Sequence, residues 1–252
     1  MSESIYGLDY AVILVYLLML IGIGFYVYQK DSTYEQYILA DRMMTTPMLI
    51  STLVSTYYGL DILFGSSELA FNDGLVAFFG YSLASLGFYI FVALYMTKKL
   101  RSSNVISLPE ILEKNYGKST AAIGAVGSMI YCLPTTSLFA LGRVSEFVFG
   151  IDAHYGALIL GGIALGYTLL GGLKAVAITD TIQFSLMCIT VAIGVPLLLQ
   201  DIGGFTEIKR VAPEGHFSLF GDMPFFLLLA YISLSLATLI DPSIYQRIFA
   251  AK

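Results

Sequence analysis

Two short runs carry the residue types that could do chemistry. The first is Ser55-Thr56-Tyr57-Tyr58-Gly59-Leu60-Asp61, inside LISTLVSTYYGLDILFGSSELAF (residues 49–71). The second is Ile240-Asp241-Pro242. Both lie in stretches apolar enough to enter a bilayer. An ionisable group at membrane depth is costly and is a functional hypothesis by default. Irregular backbone at that depth survives only where it lines a cavity or is buried in protein. The hydroxyls and Gly59 predict that the first stretch stops winding near Tyr57–Gly59. Proline removes a backbone donor and pushes the preceding residue out of the helical region, so the second stretch is interrupted beside Asp241. A stopped helix frees main-chain carbonyls. Such dipoles give a hard cation oxygen ligands without net charge. The chemistry these residues suggest is ion coordination, not bond making.

The elements that position them are membrane spans. Of the 252 residues 57% are hydrophobic and 12% charged, where a soluble domain carries roughly 25% charged residues. Mean hydropathy is +0.80. Seven stretches pass the length test of about 17–25 apolar residues. They fall near residues 9–29, 43–71, 74–97, 119–150, 154–173, 177–200 and 223–250. Together they predict a single transmembrane domain over residues 1–252, in contact with lipid, with little chain left for a soluble domain. The net charge of −5 gives no reason to expect nucleic acid. Cys132 and Cys188 sit mid-span, which predicts two buried small residues and no disulfide framework. The first span is not a cleaved signal peptide: Met1–Asp9 lacks Lys and Arg, and no small-residue cleavage site follows.

Charge sets the expected orientation. If the spans alternate, Lys30, Arg42, Lys98, Lys99, Arg101, Lys114, Lys118, Lys174, Arg247 and Lys252 share one side. Only Lys209 and Arg210 lie on the other, and Arg143 is inside a span. The positive-inside rule places the N-terminus outside and Lys252 in the cytoplasm of a cell-surface (inner) membrane.

Smaller features follow along the chain. Asp61 and Glu68 are two turns apart and share a face if the outer half of their span is helical; Glu68 could equally lie in water near the outer surface. Ser107 and Pro109 predict a capped, amphipathic helix on the membrane surface. Pro134 predicts a kink. Arg143 and Glu146 are spaced to pair. Gly162-x-x-x-Gly166 permits close helix contact, and His154 is a solvated or capping residue. Asp180, one to two turns into its span, is open to three readings: a carboxylate favoured by the helix dipole, a cation ligand, or a proton carrier.

Interrupted spans in corresponding positions of two halves are the best sequence pointer to a carrier site. Here they are the second and the seventh, five apart and opposite in direction. The run Tyr167–Gln183 (YTLLGGLKAVAITDTIQ), with Ser107–Glu110, Pro213–His216 and Tyr245–Lys252, resembles the signature of the sodium:solute symporter family. The resemblance covers essentially the whole chain. It implies an all-α membrane protein with the inverted-repeat sodium-coupled transporter fold: one preceding helix, the first five-helix repeat, and the first helix of an incomplete second repeat. It implies Na⁺-driven symport of a small polar solute. Carried over by position, the main sodium site takes carbonyls of Ser55 and Tyr58, with Tyr57 and Gly59 lining it. Asp180 matches the aspartate some members use for a second cation. The solute positions hold Asp61, Ile62, Tyr81 and Asp241; Ile62 and Tyr81 replace hydrogen-bonding groups of the sugar-carrying members, which argues against a sugar. The family site also needs hydroxyls from a later helix, so the chain is expected to be about half of a longer carrier.

Two other classes compete. A membrane sensor or receptor module of the same fold would be followed by a signalling region instead of further spans. An enzyme is disfavoured: His154 and His216 lie outside the spans, and no nucleophile motif or metal-ligand cluster is evident. The identity of the solute and the oligomeric state are not legible.

Overall fold

A computed structural model describes residues 7–28, 33–219, 224–236 and 240–252, apart from the side chains of Asp61, Ala77 and Tyr81. The regular elements among them are helices: α1 (Gly7–Val27), α2 (Tyr34–Leu39), α3 (Thr46–Tyr57), α4 (Leu60–Asp73), α5 (residues 75–102), α6 (Leu108–Tyr116), α7 (Lys118–Tyr131), α8 (Thr135–Phe149), α9 (Ala153–Ile202), α10 (Gly204–Val211), α11 (Phe225–Ser235) and α12 (Pro242–Ala250). The exception is a parallel bridge in which Met44 N–H donates to Ala250 O (3.2 Å) and Lys252 N–H to Met44 O (3.1 Å). By length and composition four helical runs can cross a membrane, and α3 with α4 makes a fifth, broken crossing. Mid-span side chains such as Leu14, Leu158 and Leu198 are exposed, which suits a hydrocarbon surround.

The expected fourth span is one crossing by length and composition, residues 118–149, and its helical ladder lapses at the expected proline. Pro134 has no N–H to continue the ladder and expels Leu133 from helical geometry. The chain therefore leaves α7 at Tyr131 and restarts at Thr135. The fifth and sixth spans run together as α9. Its 50 residues would extend about 75 Å if straight, more than twice a hydrocarbon core. Gly172 (φ +57°, ψ −154°) breaks it into two limbs. Only glycine suits that conformation, and a Cβ there would also meet the main-chain oxygen of Tyr37. α2 puts Tyr37 in place. Thr33 and Gln36 close a capping box at its start, and the Tyr37 hydroxyl donates to the carbonyls of Thr168 and Leu169, both 3.1 Å away.

The chain divides into two compact units. The first comprises residues 1–61, 132–183 and 250–252. In it α1 lies against the first limb of α9 at Gly24, where a Cβ would come within 3.0 Å of Tyr167 Cα. Tyr10 donates to Val148 O (3.0 Å), and Gln183 Nε2 donates to the Tyr16 hydroxyl (2.6 Å). Gly142 and Gly156 let α8 and α9 meet closely. At Gly162 and Gly166 no described residue lies within 4 Å of an added Cβ.

The second unit comprises residues 62–131 and 184–249. Ser107 caps α6, accepting from Glu110 N–H (3.4 Å), and Leu112 packs on Gly124 of α7. The loop after α10 is strapped to the α4–α5 turn: Leu75 N–H donates to His216 O (2.8 Å), and His216 Nε2 donates to Phe71 O (2.9 Å). Cys132, in the turn after α7, and Cys188, on α9, both expected buried, are exposed at the surface. For mid-span residues that surface faces acyl chains, so an apolar thiol need not seek the interior.

Candidate functional site

The site begins with the end of α3. Its ladder closes when Tyr58 N–H donates to Val54 O (2.8 Å); Tyr58 then leaves helical geometry (φ −97°, ψ 55°), Gly59 is coil, and winding resumes at Leu60. The last carbonyls of a helix have no intrahelical partner. The last turn of α3, Ser55 to Tyr57, therefore turns its carbonyls toward the break, with Tyr58 just beyond it. Ser55 is buried, Tyr57 and Gly59 are half-buried, and Tyr58 is exposed.

Three hydroxyls one turn deeper decide what the buried face does. Ser51, Thr52 and Ser55 stand at i, i+1 and i+4, hence on one face. All three are buried against the second limb of α9. Thr52 Oγ1 donates to the Asp180 carboxylate at Oδ2. Ser55 Oγ donates to the Asp180 main-chain oxygen at 2.7 Å. Ser51 Oγ and Thr181 Oγ1 are 2.9 Å apart. Asp180 is itself buried. It lies eight residues beyond the break at Gly172, past the first turn where a helix dipole acts, so the dipole does not account for it. Hydroxyls and main-chain oxygens around a buried carboxylate are the donor set of a hard monovalent cation or of a carried proton.

The sequence treats Ser55 and Asp180 as members of separate sites, yet the fold joins them directly. Ser51, Thr52 and Thr181 were missed by that reading. The signal that would have found them is the hydroxyl triplet at i, i+1, i+4 opposite Thr-Asp-Thr.

The second interruption lies in the other unit. α11 ends at Ser235, Leu236 follows in a tighter turn, and helix resumes at Pro242; residues 237–239 are outside the described residues. Asp241 is buried and caps α12. Its Oδ1 accepts from Ser243 N–H (2.8 Å) and Ser243 Oγ (2.7 Å), and Tyr131 Oη donates to Oδ2 at 3.4 Å. An aspartate at N-cap with proline at N1 is a strong local start signal. Ile62 is half-buried. The side chains of Asp61 and Tyr81, the other two solute candidates, lie outside the described residues. Among the described residues no three His, Cys, Asp or Glu side chains cluster as a metal site.

Polar groups at the helix ends behave locally. Arg143 and Glu146 pair at 2.9 Å with both side chains exposed. His154 is solvated; it is Asp152 that caps α9, accepting from His154 N–H at 2.9 Å. That main-chain bond, with the imidazole beside it, holds the Asp152 carboxyl below the usual range.

Residues 37–252 match the model of the sodium:solute symporter family. Sodium/proline symporters of Staphylococcus aureus strains JH9 and Mu3 are each 27% identical over 260 residues, covering 96% of this chain and 50% of theirs. A solved structure of a Na⁺-coupled sialic acid symporter, substrate-bound and outward-open, superposes with a TM-score of 0.77 at 14% identity, covering 96% of this chain and 54% of that one. The chain thus spans about half the length of the curated relatives it matches.

Proposed function

The chain belongs to the sodium:solute symporter family, and from that premise we propose that it works in sodium-coupled symport of a small zwitterionic solute, as part of a longer carrier. The fold is that of an all-α, multi-pass membrane protein. Residues 1–252 are read as one membrane domain of the inverted-repeat type: one preceding helix, a first repeat, and the opening helix of a second. The N-terminus is read as external and Lys252 as cytoplasmic. The activity is transport and not catalysis.

The observation that carries this reading is the buried contact of α3 with Asp180. A helix that stops mid-span, with a carboxylate and three hydroxyls fastened beneath its end, is built to hold cations. In this reading Ser55 and Tyr58 supply carbonyls to one Na⁺, with Tyr57 and Gly59 lining the position, and Asp180 serves a second cation or a proton. Asp241, fixed by Ser243 and Tyr131, meets the ammonium of the solute; Asp61, Ile62 and Tyr81 are the further solute positions the family resemblance implies. The relatives named above as sodium/proline symporters make proline the first solute to try. The sensor alternative has no support from the comparisons.

The test is uptake of labelled proline and a panel of amino acids by the full-length carrier that contains this chain, in proteoliposomes. An inward Na⁺ gradient should drive accumulation that collapses when K⁺ replaces Na⁺. Accumulation indifferent to that exchange sinks the sodium reading. Accumulation only of a purely anionic solute such as sialic acid sinks the zwitterion reading and leaves sodium coupling standing.

A further inference from the structure

We propose that Thr52 is the positioning residue that couples the two cation positions, an inference that rests on the sodium reading above. The geometry is compact. The fully buried Thr52 donates its hydroxyl proton to Asp180 Oδ2. Three residues on, the Ser55 hydroxyl donates to the Asp180 main-chain oxygen at 2.7 Å. One turn of α3 therefore grips residue 180 by both its side chain and its backbone. That turn ends at the carbonyls assigned to the first Na⁺, and Ser55 takes part in both, with its hydroxyl on Asp180 and its carbonyl at the break.

A cation arriving at the Asp180 carboxylate competes for the oxygen that Thr52 bonds. Thr52 must then either turn its own oxygen toward the ion or keep its proton on the remaining lone pair. Both responses reset the last turn of α3, and with it the Ser55 and Tyr58 carbonyls. An ion at those carbonyls in turn fixes the turn that carries Thr52. The first cation bound orders this segment, and the second binds to a segment already ordered, which gives positive coupling. Coupling between two binding events is reciprocal. Ser51 and Thr181 add a parallel hydroxyl contact at 2.9 Å that keeps the two helices in register while Thr52 responds. Thr52 thus acts through Asp180 and the helix end, whether or not its own oxygen ever touches the ion.

The experiment is equilibrium binding of ²²Na⁺ to the purified full-length carrier that contains this chain, in nanodiscs, with choline holding ionic strength constant. Wild type should bind with a Hill slope above one. Thr52→Val keeps the shape and removes the hydroxyl; the slope should fall to one. Thr52→Ser restores the hydroxyl and should restore the slope. Thr52→Val binding like wild type, a wild-type slope of one, or failure of Thr52→Ser to rescue overturns the coupling. So does a Thr52→Val protein whose only defect is a smaller folded fraction by gel filtration, the remainder keeping the wild-type slope. Absence of any ²²Na⁺ binding by wild type overturns the sodium reading itself, whereas the preceding outcomes leave that reading intact.

Discussion

Asp180 and Asp241 are both buried carboxylates in apolar helices, and they are held in opposite ways. Asp180 takes its bonds from Thr52 and Ser55, which are 128 and 125 residues away in the chain. Asp241 takes two of its bonds from Ser243, two residues on, and a longer one from Tyr131. A carboxylate bound by its own chain is oriented as soon as the helix forms. One bound by a distant helix reports whether that helix is in place. The difference suits the two roles proposed: a fixed charge for a solute at Asp241, and a charge whose surroundings respond to ions at Asp180.

The comparison is most exposed to a pair of isosteric substitutions assayed in proteoliposomes. Asp180→Asn should lower Na⁺-driven uptake about a hundredfold, roughly the 3 kcal/mol of a charge-assisted contact to the cation, and should leave the solute KM of the residual activity unchanged. Asp241→Asn should raise solute KM about tenfold by weakening a charge-assisted contact, with Na⁺ half-saturation unchanged. If both variants shift Na⁺ dependence alike, the division of labour is wrong. Thermal unfolding in detergent sharpens it further. Asp241→Ala should lose about 1 kcal/mol of stability by removing the cap, while Asp241→Asn, a good cap, should lose almost none. Ser55→Ala should cost about 1 kcal/mol or less, because one hydroxyl bond is lost and its acceptor is a main-chain oxygen.

The smallest effect is a control from the helix ends. The His154 N–H depresses the Asp152 carboxyl. Asp152 therefore contributes stability above its unfolded value, and that contribution is lost as pH falls through the depressed one. The unfolding midpoint should fall slightly more on acidification in wild type than in Asp152→Asn. Neither Na⁺ nor solute dependence should change, since the residue is solvent-exposed.

Much of the architecture was readable because membrane burial leaves coarse marks. Span lengths and interruptions follow from apolar runs broken by Gly59 and Pro242. The cap at Ser107, the pairing of Arg143 with Glu146 and the break at Gly172 use neighbours within a turn or two, or a glycine needed for a positive φ. The kink expected at Pro134 falls where the ladder lapses between Tyr131 and Thr135 within one 118–149 crossing, because a missing N–H acts locally. Small residues permit contact without assigning it: among the described residues close approaches fall at Gly24, Gly142 and Gly156.

By itself the sequence determined that this is a membrane protein of helices, two of them broken beside polar groups, with Ser55, Asp180 and Asp241 as candidates. Those properties are local, set by the cost of leaving charge or unpaired backbone in hydrocarbon. Only the tertiary structure decided that Ser55 and Asp180 belong together and that Thr52 stands between them. Two helices more than a hundred residues apart had to meet face to face, and no periodicity within either helix says which face of the other it will find.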